Sequence, residues 1–243
     1  MQRKIKYQLL ILALFLGNIA LSYTQEITAL NTFNKIESYY KTVDVLDIEM
    51  EYKMFRGYTG TNLTESYKGT MYRKEGVTRI EILGSEIIDL PDAKLIVNKE
   101  AKTIAYNKKS FEKTQNSPVD ISMFLKFYKE ASTKISGHII IHEMVLKEGI
   151  QISIPYRKII IHVNKNNYQI EKQELYLSTK VPFVDKNGKE VSDLARMEIK
   201  FRKNPNPLKK VPELKDYVRI DSNKKVHLSQ NYMAYKIIDQ TNS

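Results

Sequence analysis

Cysteine and tryptophan are both missing from this 243-residue chain, and glycine is sparse at nine residues. Without a thiol there is no disulfide, no thiolate metal site and no cysteine nucleophile. There is also no cysteine behind the N-terminal segment to accept a lipid. So few glycines leave little from which to build a phosphate loop or a dinucleotide-binding turn, and neither pattern occurs. The Gly-x-Ser-x-Gly turn of a serine nucleophile is absent as well, because Leu83-Gly84-Ser85-Glu86 lacks the second glycine. Acid–base carboxylate pairs do not stand out; Glu49 and Glu51 share a strand face with Lys53 and read as solvent-facing. Catalysis is therefore not expected, and no cofactor is implied. A secreted hydrolase would need a convergent polar cluster that the residues do not announce.

What is present begins with a leader. Arg3, Lys4 and Lys6 precede the apolar run Leu9 to Leu16, and small residues follow around Ala20, Ser22 and Thr24. Basic, then apolar, then small is the order of a cleavable secretory signal, expected over residues 1–24 with cleavage near Thr24 or Gln25. A spanning anchor is the weaker reading, since Gln8, Asn18, Ser22 and Gln25 dilute the segment. No later segment approaches 18 apolar residues, so a soluble protein of the bacterial periplasm or exterior is expected. Net charge is +11, and about +8 once the three leader cations are removed. A basic surface suits an anionic membrane or an acidic partner, or is simply a solvated lysine-rich exterior. Nucleic acid fits less well, because the lysines are spread through every turn and not gathered on one element.

Alternation of period two dominates the chain. In Asp47 to Arg79, Ile48, Met50, Tyr52 and Met54 fall on one face, and Glu49, Glu51 and Lys53 on the other. Two further strands follow in this stretch, and Ile80 to Ile88 continues as one long strand or two short ones. Ala93 to Asn98 and Thr103 to Asn107 form a hairpin. A second run comprises His138 to Lys147, Ile150 to Val163, Tyr168 to Leu177 and Ala195 to Arg202, with Asn187-Gly188 the strongest hairpin signal. Two amphipathic helices are expected, Glu26 to Thr42 with Ile27, Leu30, Phe33, Ile36 and Tyr40 on one stripe, and a second opened by Ser117-Pro118 and running through ISMFLKFYKEA. Helix, strands, helix, strands in sequential order give an α+β fold, with the helices filling the concave side of an antiparallel sheet. From Asn204, three prolines and five charges in thirteen residues read as a linker. Beyond it, Tyr217 to Ile238 reads as a last hairpin closing a sheet edge.

Four histidines are present. His138 and His142 have the spacing of a helical zinc pair, but Ile139 to Ile141 favour a strand, and four strand residues span about 13 Å. A shared ion would need His162 from the neighbouring strand, so cross-strand surface histidines are the simpler reading and no metal is expected. Sixteen tyrosines and eight methionines suit either a half-wet, adaptable cavity lining or an ordinary aromatic-rich core and rim.

The layout resembles the outer-membrane lipoprotein carrier superfamily, the LolA/LolB type, as a divergent exported member. The features behind the resemblance are the leading helix, the strand Ile48 to Phe55, Gly69 ten residues before Arg79 with Arg73 and Lys74 between, the hairpin Leu95 to Asn107, a central helix Pro118 to Lys134, and Asp185-x-x-Gly188 leading to Ile199-x-Phe201 and Asn204. The resemblance covers residues 27–206 and implies an incomplete antiparallel barrel, or half-barrel, with helices as a lid over an apolar cavity for acyl chains. It also implies that an arginine of the early strands holds the lid, with Arg79 matching in position and Arg56 competing. The proline and tryptophan that usually flank that arginine are missing here. The expected organisation is a signal peptide (1–24), a half-barrel domain (26–206) and a C-terminal extension (207–243) that the carriers do not share. The expected cavity lining is Ile48, Met50, Tyr52, Met54, Met71, Phe124 and Phe127, and the expected cargo an acyl chain, lipid or lipoprotein. The alternative is an envelope assembly scaffold that binds a protein through a sheet edge or the tail. An apolar void of several hundred Å³ under the helices would favour the carrier.

Overall fold

The computed structural model describes residues 27–108, 117–150, 154–185 and 187–240, so the expected leader lies outside the described residues. Helix α1 (Ala29–Thr42) comes first, followed by β1 (Leu46–Arg56), β2 (Leu63–Lys74), β3 (Val77–Ile82), β4 (Ser85–Asp89), β5 (Ala93–Asn98) and β6 (Thr103–Lys108). A second run holds the short helix α2 (Ile121–Phe127), β7 (Tyr128–Ser136), β8 (Ile139–Leu146), β9 (Tyr156–Asn164) and β10 (Ile170–Leu177). The small hairpin β11 (Val181–Val184) and β12 (Glu190–Asp193) precedes β13 (Ala195–Lys203). The C-terminal section contains α3 (Leu214–Tyr217), β14 (Val218–Ile220), β15 (Val226–Leu228), a single 3-10 turn and β16 (Lys236–Asp239).

Twelve of these strands make one open sheet in the order β16-β6-β5-β4-β3-β2-β1-β13-β10-β9-β8-β7. Two meanders meet at its centre, where β1 pairs β13 in antiparallel register from Ile48 opposite Lys203 to Arg56 opposite Ala195. Only the β16–β6 pair is parallel, and it covers one edge of the sheet. With β7 as the other edge the sheet does not close on itself, which makes it an α+β incomplete barrel. Gly69 sits where β2 presses on β3. A Cβ there would lie 2.8 Å from the Glu81 carbonyl oxygen and 3.4 Å from Ile82 Cβ, so only glycine allows the approach.

Each face of the sheet is covered over a different half. On the inner face, α1 lies across β1, β2, β8, β9, β10 and β13, and Phe33, Ile36 and Tyr40 meet Ile48, Met50, Met71, Ile140, Met144, Ile161 and Phe201 in one core. The stripe α1 buries is Ala29, Thr32, Phe33, Ile36 and Tyr40, while Ile27 and Leu30 point outward. The second core lies on the outer face of β3 to β6, where Val77, Ile88, Leu95, Val97, Ile104 and Tyr106 pack against Tyr217, Val218 and Val226 of the C-terminal section. That section therefore packs on the sheet, with Asp47 accepting from the Asn204 side chain at 2.7 Å and from the Leu208 backbone N–H at 2.8 Å.

Two expectations change in detail, and one open alternative is resolved. The helix expected over Pro118 to Lys134 stops at Phe127, because Tyr128 turns extended and its segment pairs with β8. Ile80 to Ile88 is two strands, broken by Leu83 and Gly84 with φ of 48° and 70°, a mirror-type hairpin turn. The tail hairpin β14–β15 forms its own small sheet, and it is β16 that covers the β6 edge.

Candidate functional site

Helix α1 is held at both ends by charged side chains from the sheet. Its Ala29 N–H donates to Glu130 Oε2 on β7 at 2.8 Å. At the far end, the buried Arg73 on β2 donates from Nη2 to the carbonyls of Tyr40 at 2.6 Å and Val43 at 3.0 Å. Those are C-terminal helix carbonyls that have no partner within the helix, and a cation there also complements the helix dipole. Fourteen residues of helix run about 21 Å, whereas the six strand spacings from β7 to β2 sum to about 29 Å. The helix is shorter than the span of strands between its anchors, and Glu130 and Arg73 reach its two ends through their side chains. Between them, Tyr40 accepts from the Ile170 backbone N–H at 3.2 Å, and burial pushes its hydroxyl pKa up.

Under the first turns of α1 lies His142, with no exposed surface. Thr133 Oγ1 lies 2.6 Å from its Nδ1 and also donates to Glu130 Oε1. With its own proton on Glu130, the hydroxyl accepts from Nδ1–H, which leaves Nε2 bare and without a partner among the described residues. The Phe33 ring stands edge-on at 5.7 Å. Burial holds the His142 pKa below its ordinary value, with Glu130 acting against that shift. For Glu130, burial pushes upward but is outweighed by hydrogen bonds from Thr133 and Ala29 N–H and by His142, so its pKa is lowered. A histidine whose folded pKa lies below its unfolded value contributes stability that is complete above the unfolded pKa and is lost as pH falls. The lowered carboxylate acts in the same direction from its own, more acidic unfolded value. Tm is therefore expected to fall as pH drops below about 6.5, and His142→Leu is expected to flatten the first part of that fall in a calorimetric pH series. An unchanged slope would remove the imidazole from the account.

The short α2 is held in a similar way. Lys147 donates from Nζ to the carbonyls of Leu125 at 3.1 Å and Lys126 at 2.9 Å, and its backbone N–H to the Phe127 carbonyl at 3.0 Å. Phe124 reaches Phe33 of α1 at a ring distance of 6.4 Å, so the two helices form one cover.

The seven residues expected to line the cavity divide into two sets. Ile48, Met50, Met71 and Phe124 are at most 4% exposed and fill the core beneath the helices. Tyr52, Met54 and Phe127 are half-buried where that core meets open surface. Tyr52 stacks on Tyr67 at 4.9 Å, and across from Met54 stands Met197 of β13. An apolar row leaves this region along the inner face. Ile48 is opposite Met71, then come Ile80, Ile87, Ile96, Ala105 and, on β16, Ile238. Its first two members are 3% exposed, Ile80 and Ile87 are half-buried, and Ile96 and Ile238 reach 43% and 42%. Polar residues flank it on both sides: Ser85, Asn98 and Thr103 in one neighbouring row, Arg73, Thr78, Asp89, Lys94 and Asn107 in the other. The row is one residue wide and crosses seven strands, about 29 Å at the ordinary strand spacing.

Neither expected lid arginine holds a helix. Arg79 points to the outer face, where Nε lies 3.1 Å from Glu86 and Nη2 2.7 Å from Glu81, beside Tyr217. Burial opposes its charge, and Glu86 and Glu81 more than offset that, so its pKa rises. The reason is parity: Met71 and Ile80 face inward, so Arg73 shares their side and Arg79 does not. Arg56, at the end of β1, pairs with Asp193 of the β11–β12 hairpin at 2.9 Å. The cations that do reach helix-end carbonyls are Arg73 and Lys147. For Arg73 a signal existed, since a lone cation at an inward position of an alternating strand needs a buried acceptor. The histidines also separate, because His142 is opposite Ile161 while its neighbour Ile141 is opposite His162, which faces outward and lies 3.0 Å from Glu174. Among the described residues no three ligating side chains gather.

No family model matches this chain. No curated protein matches it either. Among solved structures it is similar to an uncharacterized conserved protein from Thermus thermophilus, with 8% identity, 87% of this chain and 99% of the other covered, and a TM-score of 0.42. It is also similar to a LolA superfamily protein from Nitrosomonas europaea, with 13% identity, coverage of 77% and 98%, and a TM-score of 0.30. A structure from Vibrio parahaemolyticus described as an outer membrane lipoprotein-sorting protein domain gives 12%, 74% and 94%, and 0.32. One of these structures bears the name of the superfamily that the residues resemble. At these values the likeness assigns neither a family nor a ligand.

Proposed function

We propose that this chain is an exported, non-enzymatic binding protein that shelters an acyl chain of a lipid or lipoprotein on the inner face of its sheet, as a carrier in the periplasm. The observation that carries the reading is the apolar row from Ile48 to Ile238, buried at one end under α1 and open at the other. A linear apolar ligand one chain wide matches such a row better than a globular partner does. Burying fourteen methylenes contributes on the order of 10 kcal/mol before ordering costs, at about 0.8 kcal/mol each. The core beneath α1 is filled by Phe33 and Ile36, both fully buried, so the expected void under the helices is replaced by this half-open track. A deeper pocket would require α1 and α2 to lift from Arg73 and Lys147. Tyr217, Val218 and Val226 of the tail are buried against the chain's own sheet, which favours the carrier over a scaffold that binds through the tail.

Native mass spectrometry of the mature protein, prepared without detergent, tests this directly. A bound lipid, or uptake of an added acyl ester, is the expected result. Ile87→Lys with Ile96→Lys places two charges on partly exposed positions of the track and is expected to weaken uptake at least tenfold with little change in Tm. A ligand-free protein that takes up no acyl compound, or equal uptake by that variant, would overturn the assignment.

A further inference from the structure

On the other side of α1 from the track lies a second site. A cleft of about 290 Å³ opens between the first turns of the helix and the β9–β10 turn. Asn31, Thr32 and Lys35 line it from the helix, Lys165, Asn166 and Tyr168 from the turn, and Ile27 and Ile140 form its apolar part. Among the described residues its lining contains no carboxylate. Lys35 donates to the Tyr168 hydroxyl at 3.0 Å and lies 4.9 Å from that ring's centroid, which directs its ammonium toward the turn. Neither Lys35 nor Lys165 makes an ion pair among the described residues, whereas the nearby Glu171 is engaged by Asn164 at 2.9 Å and His138 at 3.7 Å. Two cations and two amides facing one concavity, with no counter-charge among the described residues of its lining, make a positively charged recess bordered by hydrogen-bond donors.

We infer that this cleft binds a phosphate group, either free or as the headgroup phosphate of an anionic lipid. A tetrahedral anion can take one ammonium from each wall together with an amide N–H, and so relieve the repulsion between the two lysines. Such a ligand would bridge α1 to the β9–β10 turn. The site stands apart from the acyl track, so either can fail alone.

The test compares the full mature chain with Lys35→Gln/Lys165→Gln and with a charge-matched control, Lys209→Gln/Lys225→Gln, two exposed lysines of the C-terminal section. One arm titrates inorganic phosphate and follows backbone amide resonances. The other measures binding to phosphatidylcholine vesicles with and without phosphatidylglycerol. Phosphate is expected to shift the signals of Asn31, Lys35, Lys165, Asn166 and Tyr168, and the cleft variant to lose at least tenfold in affinity while the control keeps it. A tenfold loss of anionic vesicle binding in the cleft variant alone identifies a lipid headgroup as the source. Loss confined to the phosphate arm identifies free phosphate. If the cleft variant and the control behave alike in both arms, or neither probe binds the wild type, the inference is wrong.

Discussion

Ending the chain after Asn206 is expected to abolish soluble, folded protein, although the removed section opens with a proline-rich linker and lies beyond the length covered by the carrier resemblance. On the sheet side, Val77, Ile88, Leu90, Leu95, Val97 and Ile104 are at most 6% exposed, and Tyr217, Val218 and Val226 are among the residues that cover them. Each large apolar side chain left in water forfeits about 1.5–3 kcal/mol. Six of them sum to on the order of 10 kcal/mol, comparable with the whole stability of a domain at about 5–15 kcal/mol. Losing β16 as well would bare the N–H and C=O groups of β6, a template for aggregation. Val218→Asp makes the same point with one residue, since Val218 is 1% exposed and an unpaired carboxylate cannot be accommodated there. Solubility and amide dispersion of both proteins provide the measurement. A soluble, well-dispersed truncation would show that the inner-face core is self-sufficient.

Period-two alternation made most of the sheet legible from the residues alone. Glu49, Glu51 and Lys53 against Ile48, Met50 and Tyr52 leave one choice of inner face, and the turns at Glu75-Gly76 and Asn187-Gly188 carry their own chemistry. The second core was not legible because its strands are apolar on both faces. In β4 and β5, Ile87, Ile88, Leu95, Ile96 and Val97 follow without alternation, which marks a strand covered on both sides but does not say by what. The tail that covers the outer face is short, polar and proline-interrupted, so its few anchors, Tyr217 and Val218 foremost, were diluted by neighbouring lysines. The end of α2 was hidden for a related reason: YKEAS carries good helix formers, and only pairing with β8 draws it into a strand.

The site was legible as a type of surface more than as a set of residues. Methionine and tyrosine at Met50, Tyr52, Met54 and Met71 were placed on the correct face, yet sequence cannot say how far along each strand the helices reach. That boundary separates Met50, in the core, from Met54, at the open end. Position in the motif points to Arg79, whereas parity points to Arg73, because on β3 an odd-numbered residue presents the opposite face from Arg73 on β2.

Replacing that arginine is expected to loosen the cover while leaving the sheet intact. Arg73→Met keeps the length and apolar stem but removes two charge-assisted hydrogen bonds to the carbonyls of Tyr40 and Val43. Bonds to charged groups contribute about 1.5–3 kcal/mol, and the two buried carbonyls left behind add to the loss. A net change of about 2–3 kcal/mol in α1 docking corresponds to roughly 30- to 150-fold faster amide exchange along Phe33 to Tyr40, at 1.4 kcal/mol per tenfold. Arg73→Lys, which retains the charge but not the planar fork, should fall between the two. Arg79→Met supplies the contrast, since it removes one of the two cations beside Glu86 on the outer face, leaving Lys99 at 2.8 Å, and should lower Tm without selectively speeding exchange in α1. Pairing Arg73→Met with Lys147→Met tests whether the helices move as one cover, because α1 and α2 touch through Phe33 and Phe124. Non-additive exchange in the double variant would mean a single moving unit, and additive exchange two independent flaps. If Arg73→Met leaves α1 exchange within twofold of the wild type, the helix is held by its apolar stripe alone and the latch assignment is wrong. If exchange rises as expected, the proposed acyl track gains a mechanism of access: a cover whose resting position is set by Arg73 and can be shifted by whatever competes for those two carbonyls.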